Sequence, residues 1–413
     1  MKKISLIFLT LLAITTLLLL TGCGSTKAGL YDANDKLLDT WDKLVYDYGM
    51  EIDGYYDVDY HLYSSPYYIL ENYPELRSGV KLVIPNNVER IANQAFEKCE
   101  QLETVIIGNQ VTVIGDKAFS FCTNLSNVQI GSNVTTLGEK AFEYSGIVNI
   151  TIPKNVTSIL YSTFSNCENL ISINFEKHSS LSNIEKSAFY HCTSLSEIII
   201  PNNVTTIGEK AFAGCKNMES ITFEKNSLIT SIEKSTFENC EKLKEIEIPA
   251  KVINIADSAF RDCEMLSTVI FSNKSNIESI GTFAFYNCGS LKNFEFPNSI
   301  QTIGSYAFEN CKSLSELILP HGITKLEKSV FEGCSNIQHI TFPTSIAEID
   351  DSAFDGLKTI ESITLLSENP PKYSIYIEFL LDQKITRIIV PKGSIDKYQE
   401  IWFANSKQIV EAE

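Results

Sequence analysis

Twelve phenylalanines recur at steps of 22 to 25 residues between Phe96 and Phe354. In ten of the twelve cases a cysteine follows three places later, from Cys99 to Cys334. A period this regular predicts a stack of identical supersecondary units rather than a globule with one closed core. It also constrains function, because a stack presents a long ladder surface that suits binding better than chemistry. The 413 residues would otherwise suggest two or three domains. A solenoid removes that expectation, since it grows without closing a core.

The best-formed units read Leu-x-x-Ile-x-Ile-Pro-x-x-Val-Thr-x-Ile-Gly-x-x-Ala-Phe-x-x-Cys, as from Leu195 to Cys215. The segments Leu-x-x-Ile-x-Ile and Val-Thr-x-Ile alternate at period two and predict two short strands per unit. Proline has no N–H for a ladder, so Pro153, Pro201, Pro249, Pro297, Pro320 and Pro343 end the first strand. Gly115, Gly138, Gly208 and Gly304 follow the second strand, where the chain turns. Ala-Phe-x-x-Cys then reads as a tight helical or 3₁₀ turn that buries Phe and Cys. Three longer units, around Phe175, Phe223 and Phe271, replace the proline turn with a loop expected to bulge from one edge.

These motifs resemble a known family. Leu-x-x-Ile-x-Ile matches the first half of a leucine-rich repeat. The continuation Pro-x-x-Val-Thr-x-Ile-Gly-x-x-Ala-Phe-x-x-Cys is similar to the BspA-like, or Treponema pallidum type, leucine-rich repeat, over about 290 of the 413 residues. The asparagine ladder after the first strand is irregular, with Asn133 and Asn203 present but Lys251 in another unit. The resemblance implies a repeat solenoid, β-rich with short helical or 3₁₀ turns. About 12 repeats of 22–25 residues are expected, with a cap at each end.

The expected organisation is a signal peptide over 1–22, a Tyr- and Asp-rich tether and cap over 23–78, the solenoid over 79–366 and a C-terminal cap over 367–413. Lys2 and Lys3 precede an apolar run, Leu6 to Leu20, shorter than the ~18–20 residues that cross a bilayer. The run ends in Leu20-Thr21-Gly22-Cys23, which resembles the lipobox of bacterial lipoproteins. That resemblance implies cleavage before Cys23 and acylation of Cys23, and several acyl chains give stable anchoring. An ordinary secretory signal with a chance cysteine is the other reading.

Leu37, Trp41, Leu44 and Tyr48 fall on one helical face, with Gly49 as a stop, so a capping helix is expected over 32–48. The Tyr-rich segment around Tyr55 to Tyr73 reads as a cap over the first coil or as an acidic, aromatic contact surface. Asp53, Asp57 and Asp59 lack the spacing of an EF-hand loop. At the other end Ile388-Ile389-Val390-Pro391, followed by Tyr398 and Trp402, resembles the closing segment of the same family, a last strand and a short capping helix.

The ten repeat cysteines occupy one position of one motif. Stacking puts them in a file ~4.8 Å apart. That distance permits a bridge, but side chains in a file point the same way, which favours buried thiols. The spacing lacks the paired C-x-x-C pattern of zinc sites.

Net charge is −17, from 34 basic and 51 acidic residues, which argues against nucleic acid and against adsorption on anionic lipid. Among enzyme signatures there is no Gly-rich phosphate loop, no Gly-x-Ser-x-Gly and no His-Glu-x-x-His. His191 adjoins Cys192, but Cys192 is the packing cysteine of its repeat. No catalytic residue, cofactor or metal is expected.

In leucine-rich repeats the residues between the buried positions of the first strand face the concave side. The resemblance places Thr104, Asn127 and their equivalents through Thr364 there, with an acidic middle. Thr222, Glu245, Glu247, Asn293, Glu295 and Glu316 form the candidate binding face. Threonine, serine and asparagine also suit exposed strand positions without any ligand. The expected function is that of a lipid-anchored protein of the bacterial cell surface, facing outward, whose solenoid binds a protein partner. Family resemblance implies adhesion to host, matrix or bacterial proteins. A structural lipoprotein of the envelope without a host ligand is the alternative.

Overall fold

The computed structural model describes residues 29–31, 37–40, 79–86, 88–373, 385–401 and 407–412. Two compact units divide the chain, residues 1–204 and 205–413. Apart from the coil at 291–297, the repeats supply one longer and one two-residue strand, as the two period-two segments predict.

In the first unit the longer strands run Val80–Ile84, Leu102–Ile107, Asn127–Gln129, Asn149–Ile152, Ser172–Phe175 and Glu197–Ile200. They pair in parallel, with one register shift between Val80 and Lys81 and a constant register beyond it: Thr104, Asn127, Asn149, Ser172 and Glu197 lie side by side. A constant register repeats each side chain's neighbours from coil to coil, so files of identical residues form. The short strands, from Arg90–Ile91 to Asn183–Ile184, build a second parallel ladder. Between the strands, Pro-x-x-Val closes a four-residue turn in which the valine N–H donates to the proline carbonyl, as from Val156 to Pro153 at 3.1 Å.

Ala-Phe-x-x-Cys is a tight turn, as expected, but its backbone is not helical. Successive four-residue turns follow one another, with Ala118 N–H donating to Gly115 and Ser120 N–H to Lys117. Lys117 and Phe121 have φ of 53° and 59°, in the left-handed region, whereas a 3₁₀ helix keeps φ negative. The kinks turn backbone groups toward the next coil. Phe119 N–H donates to Ala141 of the following repeat at 2.7 Å.

The core is made of files. Phe96, Phe119, Phe142, Phe164 and Phe189 stack at centroid spacings of 5.2 to 5.5 Å, with ring planes within 8° of parallel. In the second unit Phe212 to Phe354 continue the pattern at 5.1 to 5.7 Å. All ten repeat cysteines are buried thiols, not joined in disulfides.

The second unit has a first-strand ladder of Ser220–Phe223, Glu245–Ile248 and Thr268–Phe271. A separate one runs Glu316–Ile318, His339–Phe342, Ser362–Leu365, Arg387–Val390 and Ile409–Glu411. In one of the longer units the Glu224-Lys225-Asn226 loop is exposed.

The ends differ from expectation in one respect each. Leu37–Thr40 is a strand, not part of a helix. It pairs antiparallel with Gly29–Tyr31, which pairs antiparallel with Val80–Ile84. The physical reason is the bare edge of the first ladder strand, whose N–H and C=O groups a hairpin satisfies and a helix cannot. Trp41, Leu44, Tyr48 and the segment Tyr55 to Tyr73 lie outside the described residues, as do 1–22 and Cys23. At the C-terminus the strand Arg387–Val390 and helix Ile395–Ile401 form as expected. Arg387–Val390 is not the last strand, because Ile409–Glu411 adds to it in parallel. Tyr398 is buried and its hydroxyl donates to the Ser367 carbonyl at 2.8 Å. Trp402 lies outside the described residues.

Candidate functional site

The face built by the longer strands is the candidate site. Period two sends alternate residues inward, so Ile246 and Ile248 are buried while Glu245 and Glu247 between them are exposed. The structure exposes all six candidate residues, Thr222, Glu245, Glu247, Asn293, Glu295 and Glu316. Register brings some of them together. Glu245 lies between Ser220 and Thr268, and Thr268 bridges to Asn293. Glu247 lies beside Ile270. Glu316 belongs to the separate ladder and lies beside His339, so the coil of Asn293 and Glu295 stands between it and the other acids.

The two units carry different faces. In the first, the side-by-side positions that follow Lys81 are Thr104, Asn127, Asn149 and Ser172, neutral until Glu197. They satisfy one another, as where Ser172 Oγ donates to Asn149 Oδ1 at 2.6 Å. In the second, Glu245, Glu247, Glu295 and Glu316 make no ion pair among the described residues. The nearby Lys244 is already paired with Glu219 at 2.6 Å.

Three face residues escaped the sequence reading. Ile199, Ile270 and Ile318 are 59%, 44% and 56% exposed. Each follows an inward residue in a strand, so period two puts it outside. The signal was present in the spacing but hidden by composition, since Glu-Ile-Ile-Ile at 197–200 reads as apolar throughout. The second unit's face therefore sets isoleucines among uncompensated carboxylates.

Comparison with known proteins bears on this architecture. The family model for the BspA type leucine rich repeat region, in six copies, matches residues 73–182, 182–294 and 278–410. The chain belongs to the BspA-type leucine-rich repeat family. Solved structures similar to it include a leucine rich cell surface protein from Faecalibacterium prausnitzii A2-165, at 30% identity and a TM-score of 0.45, covering 72% of this chain and 80% of that one. A leucine-rich repeat protein from Bacteroides ovatus is 25% identical with a TM-score of 0.45, covering 71% and 83%. The pneumococcal vaccine antigen PcpA is 19% identical with a TM-score of 0.50, covering 80% and 87%, a likeness of fold. No curated protein matches the sequence.

In this BspA-type solenoid a second group of surface residues lies on the turns. Phe121 and Tyr144 stack at 4.7 Å and are 37% and 41% exposed. In the second unit Phe283 and Tyr306 stack at 4.7 Å. Arg261 lies 5.7 Å from the Phe283 centroid and Lys328 lies 5.7 Å from that of Tyr306, so cations close both ends of the pair. All four rings sit at left-handed positions, with φ of 56° to 61°. Bulky side chains rarely adopt this region. Such positions in other repeats hold lysine, serine or asparagine, as at Lys98, Ser162 and Asn166.

The cysteine file offers no open nucleophile. Burial pushes the Cys167 thiol up to about 12, and it raises Cys122, Cys240, Cys263, Cys288 and Cys311 well above the ordinary value. Among the described residues no group of three or more His, Cys, Asp or Glu could hold a metal ion. Among them, too, no helix is long and apolar enough to cross a membrane.

Proposed function

We propose that this chain is a lipid-anchored protein of the bacterial cell surface whose first-strand face binds another protein. The observation that carries the reading is the second unit's face, where Ile270 and Ile318 lie exposed among Glu245, Glu247, Glu295 and Glu316. Exposed isoleucine gains by burial against a partner, at about 25 cal/mol per Å² of apolar area. Carboxylates without internal cations favour a basic partner surface and steer its approach. Family membership and the Leu20-Thr21-Gly22-Cys23 sequence support the location.

The test uses whatever protein the wild-type chain captures from matrix proteins or whole bacterial cells. Glu245→Gln, Glu247→Gln and Glu295→Gln together remove charge but keep size. The expected result is slower association and a flatter salt dependence, with an unchanged unfolding midpoint. Wild-type kinetics in the triple variant would move the site off this face. Protease shaving of intact cells separates the surface reading from an inward-facing scaffold, which would be protected.

A further inference from the structure

The first-strand ladder of the second unit is broken at one coil. Thr268–Phe271 ends one ladder and Glu316–Ile318 begins the next. The coil between them, 291–297, contributes one isolated bridge, from Asn293 to Thr268. Its sequence is Leu-Lys-Asn-Phe-Glu-Phe-Pro, where the repeat pattern has Leu-x-x-Ile-x-Ile-Pro.

Phe294, with Phe296 packed on it, marks the break. Phe294 is buried, with its ring edge-on to Phe271, Phe285 and Phe308 at 5.4, 5.2 and 4.9 Å. Phe296 packs on Phe294 at 4.6 Å and on Phe308 at 5.4 Å. Phenylalanine also ends intact strands at Phe271 and Phe342, but the position of Phe294 holds Ile, Val or Leu in the paired strands, and a ring there overfills the interior so that the backbone yields. Past Asn293 the coil leaves the ladder. A recess of about 740 Å³ opens between 267–275 and 292–299.

On that side Val269, Ile270 and Phe271 have no ladder partner among the described residues. An unpaired edge is a template for an added strand. Charge selects what can be added. Glu247 lies beside Ile270 in register, and Glu295 lines the opposite wall. Glu245 and Glu316 are exposed on the strands to either side, and the one basic residue lining the recess is Lys292.

We propose that this recess is a strand-addition site, in which an extended segment of a partner protein, bearing lysine or arginine at alternate positions, pairs with the free edge of Val269, Ile270 and Phe271. The segment's outward cations lie between Glu247 and Glu295, and Ile270 packs on their aliphatic stems. The proposal rests on the reading of the face as a partner surface and names the chemistry of that partner.

Fluorescence anisotropy with the full chain in detergent tests it. The probe is a labelled hexapeptide of alternating valine and lysine, compared with copies methylated at alternate backbone nitrogens in either phase. Methylation in one phase removes the N–H groups that pair with the edge but leaves charge unchanged. Saturable binding, weakened at least tenfold in one methylated phase, is the expected result. Phe294→Ile with Phe296→Ile should restore the ladder, close the recess and weaken binding at least tenfold. Equal binding of parent and both methylated copies would overturn strand addition. The face reading would survive that result if Glu245→Gln, Glu247→Gln and Glu295→Gln together still abolished binding. No binding of the parent peptide would also overturn the proposal, leaving the face to be judged by protein capture. A dimer lost in the double isoleucine variant, without peptide binding, would assign the edge to a second copy of the chain and overturn it too.

Discussion

The Cys167 thiol donates to the backbone carbonyl of Phe142, one coil earlier, at 3.0 Å. Seven further cysteines repeat the contact with the equivalent phenylalanine carbonyl, at 3.0 to 3.3 Å. The two most regular residues of the sequence are thus joined across coils, the ring filling the core and the thiol closing a buried carbonyl.

This contact predicts unreactive thiols. A labelling reagent should leave the repeat cysteines untouched in the native protein. Denaturation without reductant should then expose all ten. Recovery of far fewer would mean bridges. Stability should also respond to pH in a definite direction. The folded Cys167 ionises at about 12 and the ordinary thiol at 9.0. The folded state therefore holds a proton that the unfolded chain has lost, and the contribution of Cys167 is complete below pH 9 and lost as pH rises toward 12. Cys167→Ser should lower the unfolding midpoint at neutral pH and flatten its fall through that alkaline window.

The ring file predicts a position-dependent cost. Phe142 lies between Phe119 and Phe164, each 5.5 Å away. Phe142→Ala should cost about 3–5 kcal/mol, because neither neighbour can fill the cavity. The loss also weakens coupling between the coils on both sides. Phe354 is the last ring of the file, so Phe354→Ala should disturb fewer couplings. Denaturant unfolding should show an intermediate for the inner variant. Identical transitions for both would contradict a linear stack.

Gly138 marks where coils approach closely. A Cβ there would lie 2.5 Å from the Asp116 nitrogen and 2.5 Å from the Gly115 carbonyl carbon, both backbone atoms that cannot rotate away. Gly138→Ala should destabilise by roughly 1–3 kcal/mol through backbone displacement. At Gly289 an added Cβ meets nothing within 4 Å, and Gly289→Ala should stay within about 0.5 kcal/mol of wild type. Thermal melts of the pair check this.

Cys23 is predicted to carry the anchor on its sulfur. Cys23→Ser should move the protein from the membrane fraction to the soluble or unprocessed pool. An unchanged detergent-phase partition would refute lipid anchoring.

The sequence by itself determined the repeat architecture, the two strands per unit and the buried Phe and Cys files. The reason is that a stack with constant register gives every residue in a file the same environment. A requirement at one position, such as burial at Phe119 and Phe142, must then reappear one repeat later. Close approach at Gly115 and Gly138 follows the same rule.

What the sequence hid depends on neighbours outside the local pattern. Leu37–Thr40 has a helical periodicity, but the bare edge of Val80–Ile84 recruits the chain as a hairpin. Ile199, Ile270 and Ile318 look like core residues because they lie in unbroken apolar runs, and the period-two spacing that sends them outward is masked by that composition. Phe294 and Phe296 are conservative replacements by hydrophobicity. Tertiary structure alone decides that the volume of Phe294, set against Phe285 and Phe308, breaks the ladder and opens the edge of Val269, Ile270 and Phe271. Hydrophobicity is readable residue by residue, whereas fit depends on the shapes that surround it.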